Sequence, residues 1–296
     1  MSIRTILLVA LAIIAVAFVV AWGLEIRRKQ HFAWPKPIEL GIGFLTDFLD
    51  TLGIGSFAPT ISLLKLWKLV PDERMPGTLN VGHAIPTIFE AFAFIAIVQV
   101  DPLTLISLIV AAVVGSWLGA GLVARWPRRL VQIGMGSALL VAAVLFFLTN
   151  VNALPGGHGD ALGLSGGQLA FAIVANFCLG ALMTVGIGLY APAMILVSLL
   201  GMNPKAAFPI MMGSCAFLMP ISGFRFVKLD AYSLRTALGL TLGGIPGVLI
   251  AAYIVHSLPI AAVRWLVIAV VIYAAISMLR SASVERTAKA ATVPTA

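Results

Sequence analysis

The chain has 296 residues, of which 61% are hydrophobic and 10% charged, with a formal net charge of +8. Apolar stretches of membrane length recur along it, so it is read as an all-α, polytopic membrane protein with no room for a separate soluble domain. Most basic residues sit at segment ends, as the positive-inside rule produces, which argues against nucleic acid as the partner of that charge.

Residues 6–23 form an unbroken apolar run, followed by Arg27, Arg28, Lys29 and Lys36. Arg4 ahead of the run would suit a cleaved signal peptide, but the run is long for that and the larger basic cluster follows it. Residues 1–37 are therefore read as an uncleaved helix with its C-terminal end in the cytoplasm. Residues 38–69 are too long for one span and are interrupted within Gly41–Pro59, GIGFLTDFLDTLGIGSFAP. Asp47, Asp50 and Thr51 share one helix face there. An ionisable group at bilayer depth costs several kcal/mol, so it faces a cavity or a partner. Gly53-Ile54-Gly55 and Pro59 then break the helix, which a membrane tolerates only where protein or a water-filled cavity satisfies the freed backbone. Polar groups beside a helix break read as a binding site.

A polar patch, Lys65 to Arg74, precedes apolar segments near 77–98, 103–124 and 130–149. Asn80, His83, Thr87 and Glu90 lie on one face of the first of these. The Gly-rich stretch 155–167 holds His158 and Asp160 and reads as a solvated connection rather than a metal site. Apolar segments at 168–201 (again interrupted), 206–223, 231–256 and 259–280 follow, and the tail 281–296 is expected to be disordered. Cys178 and Cys215 are isolated in apolar runs and read as small core residues.

The second half repeats the first. Gly53-Ile54-Gly55-x-x-Ala58-Pro59 recurs as Gly186-Ile187-Gly188-x-x-Ala191-Pro192, a shift of 133 (186 minus 53), which also maps Thr51 to Thr184 and Pro76 to Pro209. Gly115 and Pro127 map to Gly247 and Pro259 at 132 (247 minus 115). Charge suggests the handedness. If each interrupted segment is a hairpin that returns to its own side, then 24–37, 65–74, 125–129, 225–228 and the tail all lie in the cytoplasm. The loop 150–167, without Lys or Arg, lies outside. Arg225 and Lys228 then serve topology, while Lys205 and Arg264 are misfits expected to snorkel to headgroups. Each repeat, 38–149 and 168–280, becomes one hairpin plus about three crossings. An odd count inverts one repeat relative to the other, as in many secondary transporters.

The charge is not repeated: Gly180 and Met183 stand where Asp47 and Asp50 would recur, with Asn176, Thr184 and Ser214 as uncharged remnants. Ion coupling is therefore assigned to the first half, through Asp47, Asp50, His83 and Glu90. The plainer reading is that Glu90 pairs with His83 only to satisfy both, and that the aspartates lie near a membrane face.

The duplicated G-I-G-x-x-x-P hairpins, Met202-Asn203-Pro204-Lys205-Ala206-Ala207, and GSWLGAGLVARWPRR from Gly115 to Arg129 together resemble the sulfite exporter TauE/SafE family, also called the toluene sulfonate uptake permease family. The resemblance runs over roughly 38–280. It departs at Gly55-Ser56-Phe57 and Gly188-Leu189-Tyr190, where that family often runs three glycines and where Phe57 and Tyr190 add bulk. It implies a cell-membrane secondary transporter, exporting sulfite, sulfonates or related small anions. Proton or sodium coupling follows from the charge, since ionised aspartates would repel such a substrate. Backbone N–H groups at the hairpin tips, with Thr51, Gly53, Gly55, Ser56, Asn80, Thr184, Gly186 and Gly188, are the expected substrate contacts. No metal, cofactor or catalytic residue is expected. The alternative is a cation or metal-ion transporter using Asp47, Asp50, His83 and Glu90. An aspartyl protease is disfavoured, because Asp47 and Asp50 share one helix turn instead of facing each other.

Overall fold

The computed structural model describes residues 3–29, 33–123, 128–151, 153, 159–183 and 188–291. They form α1 (Ile3–Lys29), α2 (Pro37–Thr51), α3 (Phe57–Leu66), α4 (Met75–Gly82), α5 (Ala84–Ile97), α6 (Pro102–Val123), α7 (Arg128–Asn150), α8 (Gly166–Met183), α9 (Tyr190–Leu199), α10 (Ala207–Lys228), α11 (Leu234–Ser257) and α12 (Ile260–Ala291). Among the described residues, seven helical stretches are long and apolar enough to cross a membrane. The only pairing of strand type among the described residues is an isolated bridge between Ala161 and Met202.

Glycine sets the first break. α2 ends in a Schellman motif: Gly53 N–H donates to Asp50 O at 2.7 Å and Ile54 N–H to Leu49 O at 3.1 Å. Gly53 and Gly55 adopt φ of +95° and +89°, the left-handed region where a side chain is strained. The chain then re-enters a helix at Ser56. The corresponding link between α8 and α9, residues 184–187, lies outside the described residues and takes Thr184, Gly186 and Ile187 with it.

The elements keep the register of the duplication. α3 moved by 133 (190 minus 57, 199 minus 66) falls on α9 end for end. The 3-10 turn Asp72–Arg74 corresponds to Pro204–Ala206, and α4 with α5 to α10. Packing is exchanged in the same way. α2 lies along α11, where a Cβ on Gly243 would strike the Leu40 carbonyl and one on Gly247 the Phe44 carbonyl. α8 lies along α6, where a Cβ on Gly115 would strike the Phe177 carbonyl and one on Gly180 the Ala112 carbonyl. Gly115 and Gly247 are repeat partners, and so are Phe44 and Phe177. Each hairpin thus rests its first arm against a small-residue stripe of the other half, the close backbone approach used within membranes.

The connections fall into two sets whose members touch one another. In one set Arg235 Nε lies 3.0 Å from Glu39 Oε1, Ser233 N–H donates to Thr78, and Trp22 Nε1 donates to the Tyr232 hydroxyl. In the other, Asp101 N–H donates to Leu162 O and Asn203 N–H to Ala161 O, and Arg4 caps the end of α5 through the Ala96 and Val98 carbonyls. α1 also buries Leu11, Phe18 and Trp22 against the rest of the chain.

Four expectations change. The segment 77–98 is two helices, because Pro86 has no N–H for the Gly82 carbonyl, and the Thr241 hydroxyl of α11 takes it at 2.7 Å. α12 runs on to Ala291, beyond Ser281, since that stretch is rich in helix formers and free of Gly and Pro. Lys205 and Arg264 find protein partners rather than headgroups: Lys205 Nζ donates to Leu258 O at the end of α11, and Arg264 lies 3.6 Å from Asp160. Cys178 is exposed on α8 and is not a core residue, whereas Cys215 is buried. His158, Arg125 and Pro127 lie outside the described residues.

The glycine stripe gives a stability test. Gly243→Ala is expected to cost about 1–3 kcal/mol by overpacking α2 against α11. Gly41→Ala, whose Cβ meets open space, is expected to raise stability by about 0.5–1 kcal/mol. Thermal unfolding of the purified variants in one detergent measures both.

Candidate functional site

The two breaks meet. Gly55, Ser56 and Phe57 from the first and Gly188, Leu189 and Tyr190 from the second line one small cavity, closed by Asp50, Met183, Cys215 and Met219. Its volume of about 20 Å³ is close to the least that holds one water. α3 and α9 both begin at this cavity, so the first turns of two helices converge there.

Behind the cavity lies a buried polar network. Asp47, Asp50, His83 and Glu90 are all at most 3% exposed, so the aspartates do not lie at a watery membrane face. Ser56 N–H donates to Asp50 Oδ1 at 2.7 Å, making the carboxylate a cap on the first tip. Asp47 Oδ1 lies 2.7 Å from His83 Nδ1, and His83 Nε2 lies 3.0 Å from the Thr60 hydroxyl. That hydroxyl also contacts the Ser56 carbonyl at 2.8 Å. Glu90 Oε1 lies 2.8 Å from the Thr51 hydroxyl, and Oε2 accepts from the Tyr190 hydroxyl at 2.8 Å. Glu90 therefore pairs with both hairpins and not with His83.

The local sequence explains this placement. Thr51 and Thr60 turn their hydroxyls back onto carbonyls four residues earlier, so each can sit in an apolar helix face and still reach a carboxylate or an imidazole. A threonine hydroxyl has one proton. Where Thr51 gives it to the Asp47 carbonyl, the proton between Thr51 and Glu90 must come from Glu90. Asp47 Oδ2 and Thr87 Oγ1 are buried with no hydrogen-bond partner among the described residues. Asp47 Oδ2 lies where a Cβ on Gly244 would be, so the glycine makes room for the carboxylate.

Of the expected substrate contacts, Gly55, Ser56 and Gly188 line the cavity. Gly53 shapes the turn from below, against Met194. Thr51 serves Glu90. Asn80 stands apart: its amide donates to Pro76 O and accepts from Ser222 on α10. Thr60 and Met219 had no assigned role in the sequence, Cys215 was read only as a core residue and Met183 only as the residue standing where Asp50 would recur. Tyr190 was legible only as bulk at the second tip, and Thr60 only as a polar residue at i+4 from Ser56.

The family model described as Sulfite exporter TauE/SafE matches residues 2–146, which bears out the resemblance read from the motifs. The matched stretch holds α1, the first hairpin and all four of Asp47, Asp50, His83 and Glu90, while the second hairpin lies beyond it. No curated protein and no solved structure matches the chain.

The Asp47–His83 contact is testable by a double-mutant cycle. His83→Ala leaves Asp47 buried without its partner and is expected to cost about 3–5 kcal/mol. Asp47→Asn in the same background is expected to recover part of that loss, read as thermal stability in detergent.

Proposed function

We propose that this chain is a secondary transporter of the cell membrane that exports a small sulfite- or sulfonate-like anion, coupled to protons. The match to a sulfite exporter family supports a membrane transporter of the anion class. The observation that carries the finer reading is the meeting of two helix starts at one cavity. Helix N-termini are suited to anions, through their free N–H groups and the positive end of the helix dipole.

The inverted arrangement is part of the proposal. The first hairpin begins at Lys36–Glu39, beside Arg235, and its return leads to Thr78, which contacts Ser233. The second begins beside Leu164, which contacts Thr104, and ends at Gly201, which contacts Ala161. These are the two separate sets of connections, so the contacts support hairpins entering from opposite faces. The first set carries the basic ends of α1 and α10 and is read as cytoplasmic.

Charge sets the coupling. Asp47, Asp50 and Glu90 with His83 sum to a negative cluster if all are ionised, and no Lys or Arg pairs with them among the described residues. An anion about 4 Å from an ionised carboxylate is opposed by about 4 kcal/mol at an effective dielectric of 20. Substrate binding therefore requires added positive charge, and a proton fits the hydrogen-bonded spacing of these groups. The cation-transporter alternative has less support, since no three His, Cys, Asp or Glu side chains come together to hold a metal among the described residues.

A cavity of about 20 Å³ does not hold sulfite, so loading requires the tips to part, as in alternating access about a central site. Proteoliposomes loaded with sulfite, sulfate, thiosulfate, sulfoacetate or a carboxylate test the reading. Sulfite or a sulfonate is expected to move several-fold faster down an applied pH gradient than without one. Equal rates for all anions at every gradient would refute the proposal.

A further inference from the structure

We infer that the Asp50 carboxylate is a built-in occupant of the anion subsite at the first tip, and that substrate binds by taking its place while Asp50 takes up a proton. This rests on the anion-transport reading and adds a defined exchange at one backbone N–H.

The Ser56 N–H opens the first tip, and Asp50 Oδ1 already holds it at 2.7 Å. Pro59 has no N–H to offer, and the Ser56 N–H is already taken by a carboxylate. A substrate oxygen approaching from the cavity meets a position held by an oxygen of like charge. Asp50 is also the only one of the three clustered carboxylates that lines the cavity. Asp47 is engaged by His83, and Glu90 by Thr51 and Tyr190. The groups facing Asp50 are Asp47 on its own helix, His83 and Glu90 at α4–α5, Tyr190 on α9 and Cys215 on α10.

The other half supplies the contrast. Met183 stands 133 residues after Asp50 (183 minus 50) and lines the same cavity. A thioether carries no charge, so it brings no anion of the protein's own to the second tip. Asp50 fills the first tip, and Met183 at the matching position cannot do the same at the second, which gives one exchangeable carboxylate. In the exchange, the Asp50 carboxylate gains a proton to become the acid and releases the Ser56 N–H. The anion then accepts that N–H, and no other covalent bond changes. One proton enters with each monovalent anion and the charge of the site is constant.

Calorimetric titration in buffers of different ionisation enthalpy counts the protons taken up with each anion. Sulfite and methanesulfonate are the probes, with wild type and Asp50→Asn in the same detergent. Wild type is expected to take up one more proton per anion than the variant, a difference that cancels sulfite's own protonation. Its Kd for methanesulfonate is expected to rise towards tenfold per pH unit on the alkaline side, whereas the variant's stays flat. Equal proton counts and equal pH slopes would overturn the exchange and leave the anion reading standing. Failure of wild type to bind either probe at any pH would overturn both. Should Asp50→Asn not fold, infrared difference spectra of wild type decide: a protonated-carboxyl stretch appearing on anion addition supports the exchange, and its absence overturns it.

Discussion

A helix that stops halfway through a bilayer leaves backbone N–H groups where no water can reach them. In the proposed orientation the starts of α3 and α9 are two such ends, and much of the architecture around them can be read as accommodating them. They are brought together around one small chamber. Asp50 caps one of them directly. Tyr190, the first residue of the other helix, is tied through Glu90 and Thr51 to the arm that carries Asp50. The polar network is thus a consequence of the helix breaks as much as a feature placed beside them.

Holding the tips in register needs rigid supports, and these are the glycine stripes. α2 cannot shift along α11 without driving Leu40 or Phe44 into Gly243 or Gly247, and α8 is held on α6 by the matching contacts at Gly115 and Gly180. At one position the two seams differ in a telling way. Gly244 clears space for the Asp47 carboxylate on one seam, whereas on the other Gly180 replaces the carboxylate and Ala112 fills the space. Charge and small residue have been traded at a conserved geometry of backbone approach.

Much of this was legible in the sequence because glycine and proline punctuate it. The hairpin at 53–59 and the register of 133 and 132 are carried by residues whose backbone preferences leave few options. The stripe of His83 and Glu90 on the face that meets Asp47 and Thr51 followed from helical spacing alone. What was not legible depends on contacts between distant segments or on which face of an all-apolar helix turns inward. Glu90 finds Tyr190, 100 residues away, and not its neighbour His83. Cys178 and Cys215 sit in equally apolar runs, yet one faces out and the other lines the chamber. The division of 77–98 at His83, three residues before Pro86, is viable because Thr241, a residue of the other half, takes the carbonyl that proline leaves behind.

The replacement of Asp50 by Met183 across the chamber has a consequence for how such a molecule can be built. Two copies of the first half would bring a pair of acids face to face in a space with room for about one water, and like charges that close cannot both ionise. Two copies of the second half would assemble the same scaffold with no carboxylate at its middle. Only the unlike pairing leaves a single carboxylate opposite an uncharged thioether, so the two halves are complementary parts that cannot stand in for each other.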